Sequence, residues 1–277
     1  MTSGVETPVT ASLPVLDVAG LTDTGLKRDR NEDSYEMRLP DDQKAREALF
    51  LVADGIGGMS GGDIASKAAV EEIVRRYYTY RSLNGAAGEL LDVLQNSLEE
   101  TNVHIRDQAE KIGLQRIGTT IAGMVLRPSL ETVIFNVGDT RVYRVRGGSI
   151  EKLTRDQTLA EQQLEQGTIT LEEARATRNS PITSFLGQPS PIMPIYQVVS
   201  AQMGDVFVVC SDGLWNLVDD DEIQRISTLY PANFAVRRLV DLTLKRGAPD
   251  NVTVIIVRIG RPPLMGPMLA WIASKLN

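Results

Sequence analysis

The 277-residue sequence is 42% hydrophobic and 23% charged, a composition that supports one sizeable buried core. Acidic residues outnumber basic ones by 36 to 29, a formal net charge of −7, and no long Lys/Arg cluster occurs, which speaks against a nucleic-acid binder. A single cysteine, Cys210, rules out an internal disulfide, and no run approaches the ~20 apolar residues that span a bilayer.

In chain order, residues 1–14 are rich in Thr, Ser and Pro and read as a flexible lead-in. They lack the basic-then-apolar order of a signal peptide, so the expected location is cytoplasmic. A regular fold is expected from about Val15. A strand-like apolar run at 48–53 is followed by two blocks with helical periodicity, 63–81 and 86–112. In the second block Leu90, Leu91, Leu94, Leu98 and Ile105 are expected on one face. Further strand-like runs occupy 119–126, 132–137, 141–145, 206–210 and 252–259. Cys210 falls in one of them and reads as a small buried hydrophobe. Arg141, Arg144 and Arg146 read as a solvated strand face. Between 119 and 153 strand follows strand with only turns, which favours antiparallel hairpins over βαβ units. Several runs are apolar at nearly every position, so both of their faces should be covered. The expected fold is α+β, a four-layer αββα sandwich with two central antiparallel sheets flanked by helices.

Residues 154–192 depart from this pattern. They are polar, with helical stretches at 158–166 and 171–177, and then break at Pro181, Pro189 and Pro191. We read them as a flap inserted on one domain spanning 15–260. The tail, 261–277, holds a short apolar helix with Met268, Leu269, Trp271, Ile272 and Leu276 on one side, suited to packing or to docking a partner.

The chemistry centres on apolar strands that end in aspartate: Asp54, Asp139 and Asp212, with Asp250 just before the last strand. An Asp-Gly pair is also an ordinary turn signal, and either pair alone reads more readily that way. Four such aspartates beside buried strands are harder to dismiss. Converging carboxylates repel one another, and a hard cation removes that cost. Oxygen-only ligands favour Mg²⁺, Mn²⁺ or Ca²⁺ over zinc. The glycine-rich segment 55–62 fails the G-x-G-x-x-G spacing and lacks Gly-Lys-Ser/Thr, so it reads as backbone freedom that lets the Gly55 carbonyl approach a cation. Near the start, Arg28, Glu32 and Asp33 join a cation to two carboxylates, although alone they read as a surface turn.

Six segments in order resemble the metal-dependent, type 2C (PPM) protein serine/threonine phosphatases of bacteria. They are G-x-x-R-x-x-N-E-D at 25–33, A-D-G-x-G-G at 53–58, G-T-T at 118–120, V-G-D-T-R at 137–141, C-S-D-G-L-W at 210–215 and P-D-N-V-T at 249–253. The resemblance implies hydrolysis of phosphoserine and phosphothreonine in proteins with two or three Mg²⁺ or Mn²⁺ ions, by attack of a metal-bridging hydroxide on phosphorus. It implies that Asp54 bridges two metals, that the Gly55 carbonyl binds one, and that Asp212 and Asp250 complete the other. Asp33 with Glu32 would hold metal-bound waters, Arg28 the substrate phosphate, and Asp139 with Asp212 a third metal. Substrates would be phosphoproteins of a serine/threonine kinase.

Two positions depart from the family. Ile56 stands where some members carry a histidine that protonates the leaving group, and Asp156-Gln157-Thr158 stands where the flap commonly opens with Asp-His-Ser. The only histidine, His104, is expected on a solvated helix flank, so no histidine general acid is expected. A pseudophosphatase that binds phosphoproteins without turnover is the alternative, weakened by the intact aspartates. A metal-dependent nuclease is weakened by the acidic balance.

Overall fold

The computed structural model describes residues 12–40, 47–56, 61–84, 90–114, 117–177 and 180–263. Its strands are β1 (Leu16–Asp23), β2 (Asp33–Arg38), β3 (Ala48–Ile56), β4 (Gly118–Thr119), β5 (Ile121–Leu126), β6 (Glu131–Val137), β7 (Arg141–Arg146), β8 (Ser149–Lys152), β9 (Ile195–Ser200), β10 (Val206–Cys210) and β11 (Val252–Ile259). Its helices are α1 (Gly62–Asn84), α2 (Leu90–Lys111), α3 (Leu159–Glu165), α4 (Leu171–Ala176), α5 (Asp212–Trp215), α6 (Asp220–Leu229) and α7 (Ala232–Lys245). One antiparallel sheet runs β1-β11-β10-β7-β8 and the other β2-β3-β5-β6-β9, with β4 bonded to β3.

Strand alternation explains the unbroken apolar runs. Along β3, Leu49, Leu51 and Ala53 face α1 and α2, while Ala48, Phe50 and Val52 face the other sheet. Along β10, Val206, Val208 and Cys210 face α6 and α7, while Phe207 and Val209 face the first sheet's partner. A strand covered on both faces has no polar positions to alternate with. The result is the αββα order expected from the sequence, and Cys210 is fully buried as expected.

Several boundaries and faces differ from the sequence reading. β3 does not end at its aspartate but runs through Asp54-Gly55 to Ile56, where it pairs with β4. The expected strand 119–126 is split at Thr120 into β4 and β5. Leu91 is 37% exposed and leaves the core face of α2 to Val93. Helices α6 and α7 were not read from the sequence, although a capping box joins Asp219 to Glu222 at the start of α6. Arg141 is not solvated. Its guanidinium lies 3.5 Å over the Trp215 ring and forks onto Asp156. The tail helix at 264–277 and the lead-in at 1–11 lie outside the described residues.

The flap leaves the sandwich after β8. Thr158 caps α3, and a capping box of Thr170 and Glu173 starts α4. Its base is closed by a bridge between Thr158 and Ile182, and its return by reciprocal backbone bonds between Thr119 and Leu186. Asn102 and Arg106 of α2 hold the return loop at Gly187 and Pro189.

The layer between the sheets should dominate stability. Phe207→Ala, at a fully buried position in that layer, is expected to lower unfolding free energy by about 3–5 kcal/mol. Urea unfolding checks this, and a loss below about 1 kcal/mol would show the layer to be far more compliant than described.

Candidate active site

Five carboxyl groups from both sheets meet at one end of the sandwich. β2 pairs with β3 so that Asp33 stands opposite Asp54, and residues opposite one another in an antiparallel ladder share a face. The Asp33 carboxylate crosses to the other sheet. Its Oδ2 accepts from Ser211 Oγ and Thr253 Oγ1, each at 2.7 Å. Its Oδ1 is buried and has no hydrogen-bond partner among the described residues. Asp212 opens α5 directly after β10, and Asp250 stands two residues ahead of β11. Asp139 follows β6, with its carbonyl accepting from Trp215 Nε1 at 3.1 Å.

Both Asp-Gly pairs serve close approach rather than a turn. A Cβ on Gly55 would overlap the carbonyls of Gly62 and Glu32, and one on Gly213 would overlap the carbonyl of Asn251. The Gly55 nitrogen donates to the Glu32 carbonyl at 3.1 Å, which locks the Asp54 strand against the loop carrying Glu32 and Asp33.

That loop is held by Asn251. Its Oδ1 accepts from the Glu32 nitrogen at 2.8 Å, and its Nδ2 donates to the Thr24 and Arg30 carbonyls at 2.9 Å. Arg28 reaches from the same loop to Asp250 Oδ2 at 2.7 Å and lies 3.7 Å from Glu32 Oε2. All eight residues singled out from the sequence are therefore placed on neighbouring segments. Ser211, Asn251, Thr253 and Trp215, which position them, lie inside the matched motifs but were not given roles. Only their hydrogen bonds distinguish them.

Gln157 was also unassigned. Its nitrogen donates to the Gly138 carbonyl at 2.9 Å, and its Oε1 accepts from the Gly138 nitrogen at 2.8 Å. Its carbonyl accepts from Thr183, and its Nε2 donates to the Met193 carbonyl. One residue thus joins Gly138, just before Asp139, to Thr183 within the flap and to Met193 just past it. His104 lies elsewhere, on α2, half-buried beside Gln108 at 3.2 Å and Glu72 at 3.9 Å.

Burial pushes the Asp33 carboxyl up to about 7, against the opposing pull of the Thr253 and Ser211 hydroxyls. Burial, then the charge of Asp212 and Asp156, raises Asp139 to about 7. Burial and then Asp250 raise Asp212 to about 6. Asp54 is also raised well above the usual carboxylate range, by burial and then by Asp33, Asp212, Asp139 and Asp250. Among the described residues no three acidic, imidazole or thiol groups form a ready-made cation cage. Asp212 Oδ2 instead accepts from Asn216 Nδ2 at 3.2 Å, and Asp250 turns to Arg28. The donors nevertheless suit a hard divalent cation: all are oxygens, they repel one another, and one buried carboxylate oxygen lacks a partner.

Beside Asp139 and Asp212 an open groove of about 340 Å³ is lined by Ile56 and by Ser180, Pro181, Ile182 and Phe185 of the flap. Arg28 is not among its lining residues.

These raised carboxyls have a consequence without cations. Between their unfolded value of 3.8 and a folded value near 7 the folded chain holds more protons than the unfolded one. Stability is therefore highest at low pH in this window and falls as pH rises through it. In EDTA, the urea midpoint is expected to drop from pH 5 to pH 8, and to drop less in Asp139→Asn. A flat profile in the wild type would contradict the burial of these groups.

Comparison with known proteins identifies the family. The family model described as protein phosphatase 2C matches residues 27–250. A putative protein phosphatase 2C-type protein of Streptococcus pyogenes is 31% identical over 238 residues, covering 85% of this chain and 94% of that protein. The solved structure of the serine/threonine phosphatase PstP of Mycobacterium tuberculosis superposes with a TM-score of 0.77 at 29% identity, covering 89% of this chain and 99% of that one. A further structure of the PstP catalytic domain is a complex with two manganese ions. The phosphatase Stp1 of Staphylococcus aureus gives a TM-score of 0.78 at 27% identity, over 93% and 100% of the two chains. From its first matched loop to its last catalytic-end aspartate, this chain belongs to the protein phosphatase 2C family.

Proposed function

We propose that this chain removes phosphate from phosphoserine and phosphothreonine in proteins with the help of Mg²⁺ or Mn²⁺. It is a phosphoric monoester hydrolase, and the observation that carries the reading is the convergence of five carboxyls, four of them raised by burial, where the two sheets meet. Asp54, the Gly55 carbonyl, Asp212 and Asp250 would hold two cations, and Asp139 with Asp212 a third. When bound, such cations neutralise the phosphoryl oxygens and acidify water.

The remaining roles belong to the chain itself. Asp33, with one oxygen fixed by Ser211 and Thr253, keeps its other oxygen free to orient a water. Glu32 stands beside it and is raised by burial, with the nearby Arg28 charge opposing. Arg28 sits half-exposed at the mouth and presents its guanidinium to the phosphoryl oxygens, where a planar fork pairs two of them. Ile56, Pro181 and Phe185 restrict water on the groove side. Among its described lining residues the groove has no histidine, lysine or tyrosine to protonate a leaving alkoxide.

Among the described residues no helix is long and apolar enough to cross a membrane. We read the catalytic unit as 15–260, its location as cytoplasmic, its substrates as those of a serine/threonine kinase, and the tail at 261–277 as an element for docking.

Purified protein is expected to hydrolyse p-nitrophenyl phosphate with Mn²⁺ or Mg²⁺ and not in EDTA. Asp54→Ala and Asp212→Ala should each reduce the rate by roughly 100-fold or more, since even residues behind the ligands cost 10- to 100-fold. Mn²⁺ should raise the melting temperature of the wild type and not of Asp54→Ala. Metal binding without turnover would favour a phosphoprotein-binding pseudoenzyme. Without a histidine general acid, a group worth ~10²–10⁴-fold, the enzyme should cleave aryl phosphates faster than alkyl ones at saturating metal. Equal single-turnover rates would contradict that.

A further inference from the structure

The flap side of the groove beside Asp139 and Asp212 has a composition that does not suit phosphate. On that side no described residue is a cation: Ile56, Pro181, Ile182 and Phe185 make a mostly apolar wall, with the neutral Ser180 among them. Arg28, the cation suited to a phosphate dianion, lies at Asp250 and does not line the groove. Arg141 next to Asp139 is engaged by Asp156 and stacked on Trp215. A substrate whose phosphate meets Arg28 therefore presents some other part to this wall.

The wall is preformed. The Phe185 ring lies so close on Gly118 that a Cβ there would overlap it. The Phe185 nitrogen donates to Gln188 Oε1 at 3.0 Å. Leu186, the next residue, is fully buried and exchanges backbone bonds of 2.9 and 3.0 Å with Thr119 of β4. Ile182 is bridged to Thr158, and Thr183 donates to the Gln157 carbonyl at 2.8 Å. Ile56 belongs to β3 and stands opposite Gly118. A fixed apolar surface binds an apolar group with little ordering cost, and a groove of about 340 Å³ falls within the range that accepts small ligands, ~300–1,000 Å³.

We propose that Ile56, Pro181, Ile182 and Phe185 form a subsite for an aliphatic or aromatic side chain adjacent to the phosphorylated serine or threonine. The enzyme then prefers phosphopeptides with Leu, Ile or Phe beside the phosphoresidue and disfavours those with Asp or Glu there, since nothing in the wall pairs with an anion. The subsite rests on the phosphatase reading of the same cleft, and the test separates the two.

Two sets of phosphothreonine peptides are assayed at saturating Mn²⁺, identical except that the residue before or after phosphothreonine is Leu, Phe, Glu or Lys. For the wild type, kcat/KM is expected to be about tenfold higher for Leu and Phe than for Glu at one of the two positions, equivalent to roughly 1.4 kcal/mol. The difference should appear in KM. Phe185→Ala should reduce the ratio to within about twofold. Ile182→Asp, at a half-buried position on the flap, should invert the wall's polarity and shift preference toward Lys. It tests the idea independently if Phe185→Ala fails to fold. Equal kcat/KM across both sets in the wild type, a wild-type preference for Glu or Lys, or retention of the Leu and Phe preference in folded variants would overturn the subsite. Metal-dependent hydrolysis of p-nitrophenyl phosphate by the wild type, run alongside, separates that failure from failure of the phosphatase reading.

Discussion

Like charge gathered in a buried place is the condition around which this molecule is organised. Four carboxyls, two from the β2–β3 side and two from segments next to β6 and β10, share a region with little water, and the partly exposed Asp250 ahead of β11 stands beside them. Bringing them together costs free energy, and the surrounding structure offsets that cost by rigidity. Two hydroxyls, Ser211 and Thr253, grip Asp33 from the opposite sheet, and one carboxamide, Asn251, braces the loop that carries Arg28, Glu32 and Asp33. The two sheets are thus joined at this end by polar contacts, and along the rest of their length by the apolar layer of Phe50, Met124, Phe207 and Ile255.

The fold was legible where both faces of a strand are covered. Runs such as 206–210 and 252–259 have no alternation to mislead, and the hairpins from 119 to 153 leave little topological choice. β1, β2 and β9 carry polar residues within half-buried strands, so their pattern is faint. Helices α6 and α7 were missed for a different reason. Their signal is an acidic capping box and an apolar face spread over two short helices, which is easily overlooked next to the conspicuous Asp212 segment.

The site was legible as a set of aspartates, because carboxylates beside apolar strands stand out in any sequence. Their supports were not. Ser211, Thr253 and Asn251 are ordinary residue types whose importance comes only from what they face across the sheets. Arg141 illustrates the limit. Three arginines in alternating strand positions read as a solvated stripe, yet the first stacks on Trp215 and pairs with Asp156, both distant in sequence. Gln157 is similar, a polar residue at the foot of the flap whose four hydrogen bonds join Gly138, Thr183 and Met193. The foot of the flap is thereby tied to the loop that carries Asp139.

The strand conformation of Asp54-Gly55 also bears on chemical ageing. In a flexible chain an Asp-Gly pair is the aspartyl dipeptide most prone to succinimide formation, because the glycine nitrogen is free to attack the aspartyl carboxyl and the ring reopens largely as isoaspartate. Here the Gly55 nitrogen donates to the Glu32 carbonyl, and the residue is held in β3 with no space on its α-carbon. The nitrogen cannot turn toward the side chain without breaking the strand. The same packing that sets the position of Asp54 therefore protects its covalent integrity over the life of the protein.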